Sequence, residues 1–287
     1  MLVPAQNLQQ HRQRSGLRVV IADIEDVYDE FSYGQKSPYA VRELVARSRS
    51  WRLPPSYLLL LGDATLDPKN YLGFGDFDFV PTKLVPTAFM KAASDDWLVD
   101  LKGDGTPALA VGRLPARSES EASLLVAKTL AFEQAGAGES WKTSLVLVSD
   151  IDQSGFSFTT LSQDLEKLAG PGYQTQHIAV GALGNTGART ALLASFNAGA
   201  LLVDFVGHGS QQTWRSTLFK NADALTLTNG GRLPIVTSMT CLNGYFQDVY
   251  GDSLAEALLR APNGGAVASW ASSTLTDVPA AGSHGCG

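Results

Sequence analysis

The sequence predicts an α/β fold of two side-by-side α/β subdomains with mostly parallel sheets. Three observations lead there. Apolar runs such as Tyr57–Leu61 and Ala200–Val206 lack the in-and-out alternation of a half-buried strand, which is the pattern of strands covered on both faces. Segments with apolar residues at helical spacing lie between such runs. One small, flexible stretch, Ala-Gly-Ala-Gly-Glu at 135–139, separates a helical segment from a fresh strand and reads as a linker.

In chain order, Pro4–Ser15 reads as a short polar helix stopped by Gly16, and Leu17–Ala22 as a strand. Ala40–Arg49 carries Val41, Leu44 and Val45 at helical spacing, and Pro54 and Pro55 lead into the strand Tyr57–Leu61, with Asp63 just past its end. From Pro68 to Gly105 the chain is rich in Gly, Asp, Pro and aromatics, the composition of a long ordered loop with short strands. Leu109–Val111 is a strand and Glu119–Glu133 a helix. Beyond the linker come strand Ser144–Ser149, helix Leu161–Ala169, strand Gln174–Val180, helix Arg189–Asn197, strands Ala200–Val206 and Pro234–Met239, helix Ser253–Ala261 and strand Gly265–Ala271. The boundary falls at the linker, giving subdomains 1–138 and 139–287, and no period of repeat architecture runs through either.

Composition removes several classes. With 287 residues and 44% hydrophobic content, the chain is long enough to bury real cores. No apolar run reaches the roughly 18 residues of a membrane span, so none is expected. A net charge of -6 with scattered basic residues leaves no footprint for nucleic acid. Two cysteines and four histidines show no zinc-ligand spacing, and two lone cysteines build no disulfide framework. The start, Met-Leu-Val-Pro-Ala-Gln, lacks the basic start, apolar core and small-residue cleavage site of a signal peptide, so no export signal is expected in this sequence. Oligomeric state is not written in the sequence.

In open α/β sheets, reactive groups gather beyond the carboxyl ends of strands. His208 follows one of the two most apolar strands of the second half and Cys241 the other. An imidazole near a thiol lowers its pKa and later delivers a proton to a leaving amine. Gly207 and Gly209 flank the histidine, which suits a tight backbone presenting the Gly209 N–H to an oxyanion, with the Cys241 amide as second donor. The plain alternative is an inert buried cysteine and a turn-capping histidine. Asp95, Asp96, Asp100 and Asp104 crowd a Gly-rich loop that suits a structural calcium ion or a solvated turn. It is not an EF-hand, since Lys102 and Val111 occupy ligand positions. Phe156, Phe158, Trp214 and Trp270 are candidates for a substrate cleft or for core.

The run Gly207-His-Gly-Ser210, the later Cys241-Leu-Asn-Gly244 and the following Leu254-Ala-Glu-Ala-Leu-Leu-Arg260 resemble the gingipain-type cysteine peptidases, relatives of the caspases. Val27–Gly34, Tyr57–Asp63, Ser94-Asp-Asp-Trp97 and Val111–Arg117 are similar to that family's segments in the same order. The resemblance implies a caspase-like second subdomain with Cys241 as nucleophile and His208 as base. It also implies polypeptide substrates, no required cofactor, room for a structural calcium ion, and an extracellular or cell-surface setting. An acidic residue on the loop after the subdomain's first strand is implied beside the histidine. Asp152 fits that spacing best, with Asp150 as the second choice. The arginine-cleaving members carry a further acid that Gln153-Ser-Gly-Phe-Ser-Phe158 lacks, so arginine specificity does not carry over. Against the family pattern, a strand before the opening helix and elements after Ala271 are missing, so both ends read as truncated. Endopeptidase activity is the leading expectation. Transpeptidase-like processing of sorting signals and a noncatalytic binding or accessory module are the alternatives.

Overall fold

A computed structural model describes residues 1–136, 138–215 and 217–277. Ala137 of the expected linker, and the tail with His284 and Cys286, lie outside the described residues. The chain divides into two compact units. The first comprises Met1–Pro86, Lys91–Val126 and Phe246–Tyr250; the second comprises Thr87–Met90, Ala127–Tyr245 and the residues from Gly251 onward.

The first unit contains α1 (Leu2–Arg14), α2 (Ile24–Ser32), α3 (Pro38–Ser48), β1 (Tyr57–Leu61), β2 (Lys83–Pro86), β3 (Lys91–Ser94), α4 (Asp96–Val99), β4 (Ala110–Leu114) and the start of α5 (Glu119–Gln134). Strands β1 and β4 pair in parallel, Leu59 opposite Gly112, and β2 and β3 form an antiparallel pair. Local chemistry sets the helix ends: Asp23 accepts the Glu25 N–H at the start of α2, and Ser37 with Pro38 opens α3. Val41, Val45, Leu60, Leu98, Val99 and Leu109 form one core cluster. At the carboxyl ends of β1 and β4 lies a largely buried charge lattice. Asp63 accepts from Arg117 Nε at 2.6 Å, and Arg113 grips Asp95 at 2.7 and 2.8 Å and the Gly62 and Val80 carbonyls at 2.7 Å.

Two expectations fail in this unit. Leu17–Ala22 belongs to no strand: a strand is made by its ladder, and this segment has none among the described residues, Val20 being 73% exposed. Nor is β1 covered on both faces. Tyr57 is 72% and Leu59 47% exposed while Leu60 is buried, so the apolar run overstated its burial.

The second unit is built on one sheet. Its elements are β5 (Ser144–Ser149), α6 (Phe158–Glu166), β6 (Gln174–Ala179), α7 (Val180–Ala198), β7 (Leu202–Val206), β8 (Gly209–Ser210), β9 (Thr213–Trp214), β10 (Phe219–Lys220), α8 (Asn221–Ala224), β11 (Ile235–Met239), α9 (Leu254–Arg260) and β12 (Ala268–Ala271). Five strands run parallel in the order β12-β11-β7-β5-β6. From β5 the chain steps outward to β6 and then returns to the other side of β5 with β7, so the topological switch point lies between β5 and β7. Such a crevice is where ligands bind in open α/β sheets. One face of the sheet (Val146, Val148, Val203, Phe205, Val236) packs with Ala188, Leu192 and Phe196 of α7 and Leu254, Ala257 and Leu258 of α9. Trp214, proposed for a cleft or core, is fully buried and stacks on Phe205 at 4.6 Å. It is core.

Candidate active site

The sheet register fixes the site. Ser149, Val206 and Met239 stand side by side at the carboxyl ends of β5, β7 and β11. The ladder runs one step further through Asp150 N–H to Val206 O at 3.0 Å and Gly207 N–H to Met239 O at 3.3 Å. His208 and Cys241 therefore each lie two residues beyond a registered pair on adjacent strands.

Packing dictates the backbone around His208. A Cβ on Gly207 would run into the Asp150 side chain, and one on Gly209 would sit 2.5 Å from Thr240 Oγ1 and 3.0 Å from the Thr213 carbonyl, closer than atoms tolerate. After Gly209 the chain doubles back as the β8–β9 hairpin, and Arg215 N–H closes on the His208 carbonyl at 2.8 Å. Since the Arg215 N–H bonds the His208 carbonyl in the register that pairs Gly209 with Trp214, the Gly209–Trp214 pair is of the non-bonded kind. The Gly209 N–H therefore points away from β9.

Asp150 is the anchor below. Fully buried, it accepts the His208 main-chain N–H at 3.0 Å and the Ile151 N–H at 2.6 Å, and pairs with Arg215 Nη1 at 2.7 Å. Its carboxylate is satisfied by donors other than the imidazole. Asp152, the first choice for an acid beside the histidine, accepts from the Thr159 N–H and the Ser157 hydroxyl, each at 2.9 Å. The Thr159 N–H, with the Ser157 hydroxyl behind it, holds the Asp152 carboxyl below its ordinary value. This aspartate thus orders the start of α6. The group at the imidazole is Gln153, whose Oε1 lies 3.0 Å from His208 Nε2. Phe158, buried, meets the ring edge-on at 5.4 Å between centroids.

Cys241 sits on the turn leaving β11. Leu242 after it has φ +60°, a left-handed conformation that costs a non-glycine residue energy and is retained where surroundings enforce it. Here the enforcement is visible. Leu242 N–H bonds Thr274 O at 3.0 Å, Gly244 N–H bonds Ser272 O at 2.8 Å, and a Cβ on Gly244 would lie 2.5 Å from the Ala271 carbonyl. Asn243, fully buried, donates to Ser210 O at 2.5 Å and Thr213 O at 3.3 Å, tying the cysteine turn to the histidine hairpin. The thiol itself meets Thr276, whose N–H lies 3.4 Å from Sγ and whose carbonyl is 3.3 Å away. Among the described residues no hydrogen bond joins Sγ to the imidazole; each is held by its own partner.

Asn243 and Gln153 were not singled out from the sequence. Asn243 lies inside the Cys241-Leu-Asn-Gly244 run, and its place beside the candidate nucleophile was the signal available. Two of the crowded aspartates of the first unit have partners within the protein: Asp100 accepts the N–H groups of Gly103, Asp104 and Gly105 of its own loop, and Asp95 holds Arg113 of β4. The Gly105 N–H leads in holding the Asp100 carboxyl below its ordinary value. Among the described residues no cluster of three or more His, Cys, Asp or Glu has metal-binding geometry.

Comparison with known proteins brings the family. The family model of peptidase family C25 matches residues 1–283. The chain belongs to peptidase family C25. Gingipain R2 and gingipain R1 of Porphyromonas gingivalis are each 36% identical to this member over 74 residues, 26% of its chain and 10% and 7% of theirs. The crystal structure of the Arg-specific cysteine proteinase gingipain R superposes with a TM-score of 0.77 at 22% identity, over 94% of this chain and 60% of that one. The complex of P. gingivalis RgpB pro- and mature domains gives 0.73 at 21% identity, over 91% and 59%. The C25 chain thus shares the gingipain R fold and spans about 60% of that structure's length.

Proposed function

We propose that this C25 member is a cysteine endopeptidase that hydrolyses peptide bonds through a thioacyl-enzyme, with Cys241 as nucleophile and His208 as base and then acid. The observation that carries the reading is the register that sets both residues two positions beyond the paired ends of β7 and β11, β7 being one of the two strands that flank the switch point. Proton transfer from Sγ to the imidazole gives a thiolate, which attacks the peptide carbonyl carbon. The Gly209 N–H and the Cys241 N–H stabilise the resulting oxyanion. Collapse breaks the C–N bond as the imidazolium protonates the leaving amine, and water, activated by the neutral imidazole, then releases the acid and restores the thiol.

The reading requires no metal or cofactor in the chemistry. Asp150 holds the backbone of His208, and Asp152 orders the loop that carries Gln153. A polypeptide substrate and an extracellular or cell-surface setting accompany it. Among the described residues no helix is long and apolar enough to cross a membrane.

The test is labelling with a peptidyl acyloxymethyl ketone. Native protein takes the label at Cys241, and His208→Ala slows labelling by at least a hundredfold, in line with the roughly 10²–10⁴ that general acid–base groups contribute. Labelling indifferent to His208→Ala removes the dyad, and absence of turnover across varied peptides favours a noncatalytic binding module. Peptide products formed with and without an added amine then separate hydrolysis from transpeptidation.

A further inference from the structure

We infer that Gln153 is the positioning residue of the histidine: its side-chain oxygen accepts the His208 Nε2–H and so makes Nδ1 the nitrogen that exchanges the proton with Cys241. The inference rests on the dyad proposed above and adds an element to it. The contact is 3.0 Å. It comes from a built turn rather than a loose side chain. Gln153 and Phe156 exchange both main-chain hydrogen bonds, at 3.0 and 3.1 Å, across a turn with Gly155 at φ +84°. On its N-terminal side this turn is bounded by Asp152, bonded to Ser157 and Thr159, and on its C-terminal side by buried Phe158, whose ring abuts the imidazole and Phe156. The imidazole is thus held at one nitrogen and in a T-shaped contact with one aromatic ring.

An imidazole has two nitrogens and, when neutral, one proton. An acceptor at Nε2 fixes that proton there and leaves the lone pair on Nδ1. Gln153 is uncharged, and the charged groups around His208 are otherwise occupied. Asp150, from the end of β5, is neutralised by Arg215 and by two main-chain N–H groups, and Arg215, from the end of β9, is paired with it. Asp152 is bonded to Ser157 and Thr159, and Cys241 faces Thr276. The base therefore works with an orienting dipole in place of an orienting charge. A carboxylate at this position would stabilise the imidazolium much more, an opposite charge within about 4–6 Å being worth about 1–3 pKa units.

The experiment compares native protein, Gln153→Glu and Gln153→Leu, labelled with ¹⁵N-histidine, by long-range ¹H–¹⁵N correlation across pH. The His208 signals are assigned by their loss in His208→Ala. Gln153 is exposed, so both variants keep the core, which circular dichroism checks. The native spectrum at high pH shows the Nε2–H tautomer. In Gln153→Glu the titration midpoint rises by roughly one unit or more, and Gln153→Leu gives a tautomer mixture and alkylates Cys241 about tenfold more slowly at neutral pH, a part of the full acid–base contribution. A native Nδ1–H tautomer, or a midpoint unmoved in Gln153→Glu, overturns the inference. The pH profile of Cys241 alkylation in His208→Ala keeps the two readings apart. A changed profile with an unmoved Gln153→Glu midpoint defeats only the role of Gln153, whereas an unchanged profile defeats the dyad itself.

Discussion

Replacing Asp204 by asparagine should change how stability depends on pH by an amount set by its burial. Asp204 lies mid-strand in β7, opposite Leu147 and Thr237, and is 4% exposed. The Thr237 hydroxyl donates to its Oδ1, and its Oδ2 has no partner among the described residues. Burial pushes this carboxyl from 3.8 up to about 6, with the Thr237 bond pulling back. About two units at ~1.36 kcal/mol each give roughly 3 kcal/mol. The sign follows from proton counts. Between pH 4 and 6 the folded state holds a proton that the unfolded chain has released, so raising the pH through that window favours unfolding. The contribution is fully present below about pH 4 and gone above 6. Asparagine has the same shape and does not titrate. Urea melts at pH 4, 5, 6 and 7.5 should show Asp204→Asn gaining roughly 3 kcal/mol on the native protein from the lowest pH to the highest. Any constant packing offset cancels in that difference. Parallel stability curves would refute the burial argument.

Three further outcomes are expected. Lys128 in α5, 8% exposed, donates to the carbonyls of Leu258, Leu259 and Ala261 at the end of α9 at 3.1, 2.6 and 3.4 Å, and burial lowers it to about 7. Between pH 7 and 10.5 the unfolded chain holds a proton the folded state lacks, so native stability rises with pH there. Lys128→Met loses that rise in urea melts and costs about 1–3 kcal/mol for the stranded carbonyls. Gly209→Ala, with its Cβ 2.5 Å from Thr240 Oγ1, should cut Cys241 acylation by about 10²–10³ through the displaced N–H. Adding Thr240→Ala should restore part of the rate in stopped-flow labelling. Asp150→Ala strands three donors, the Arg215 guanidinium among them, and should lower the unfolding midpoint by the equivalent of about 3 kcal/mol or more.

What could be read in advance followed from locality. Strands Tyr57–Leu61 and Ser144–Ser149 match their apolar runs to the residue, because a run bounded by turn residues carries its own limits. Helix α2 is short, nine residues, and its sequence signals are confined to its start, where Asp23 is the N-cap and Glu25 and Asp26 make an acidic first turn. In helix α7 the helical pattern is legible only from Arg189 onward, since Gly181, Gly184 and Gly187 conceal its first turns, and Gly184 does leave helical geometry. The two-residue strands β8, β9 and β10 are too short to leave a period. At the site, the positions of His208 and Cys241 at strand ends were legible because a strand end is a local event. The imidazole's neighbour was not. Asp152 and Gln153 differ by one step, and which of them turns to the ring depends on the Gln153–Phe156 pairing and on Gly155, a folding-back that spacing does not reveal.

The bridge made by Asn243 bears on motion as well as on position. Its amide is pinned to two carbonyls of the hairpin that begins at His208 while its backbone forms the turn after Cys241. The two loops therefore ride on one brace. Any displacement of one loop that keeps these hydrogen bonds carries the other loop with it. Reaction between two groups depends on the gap between them, not on their separate excursions. The spacing of the two turns is in this way set by the brace as well as by the strands beneath them.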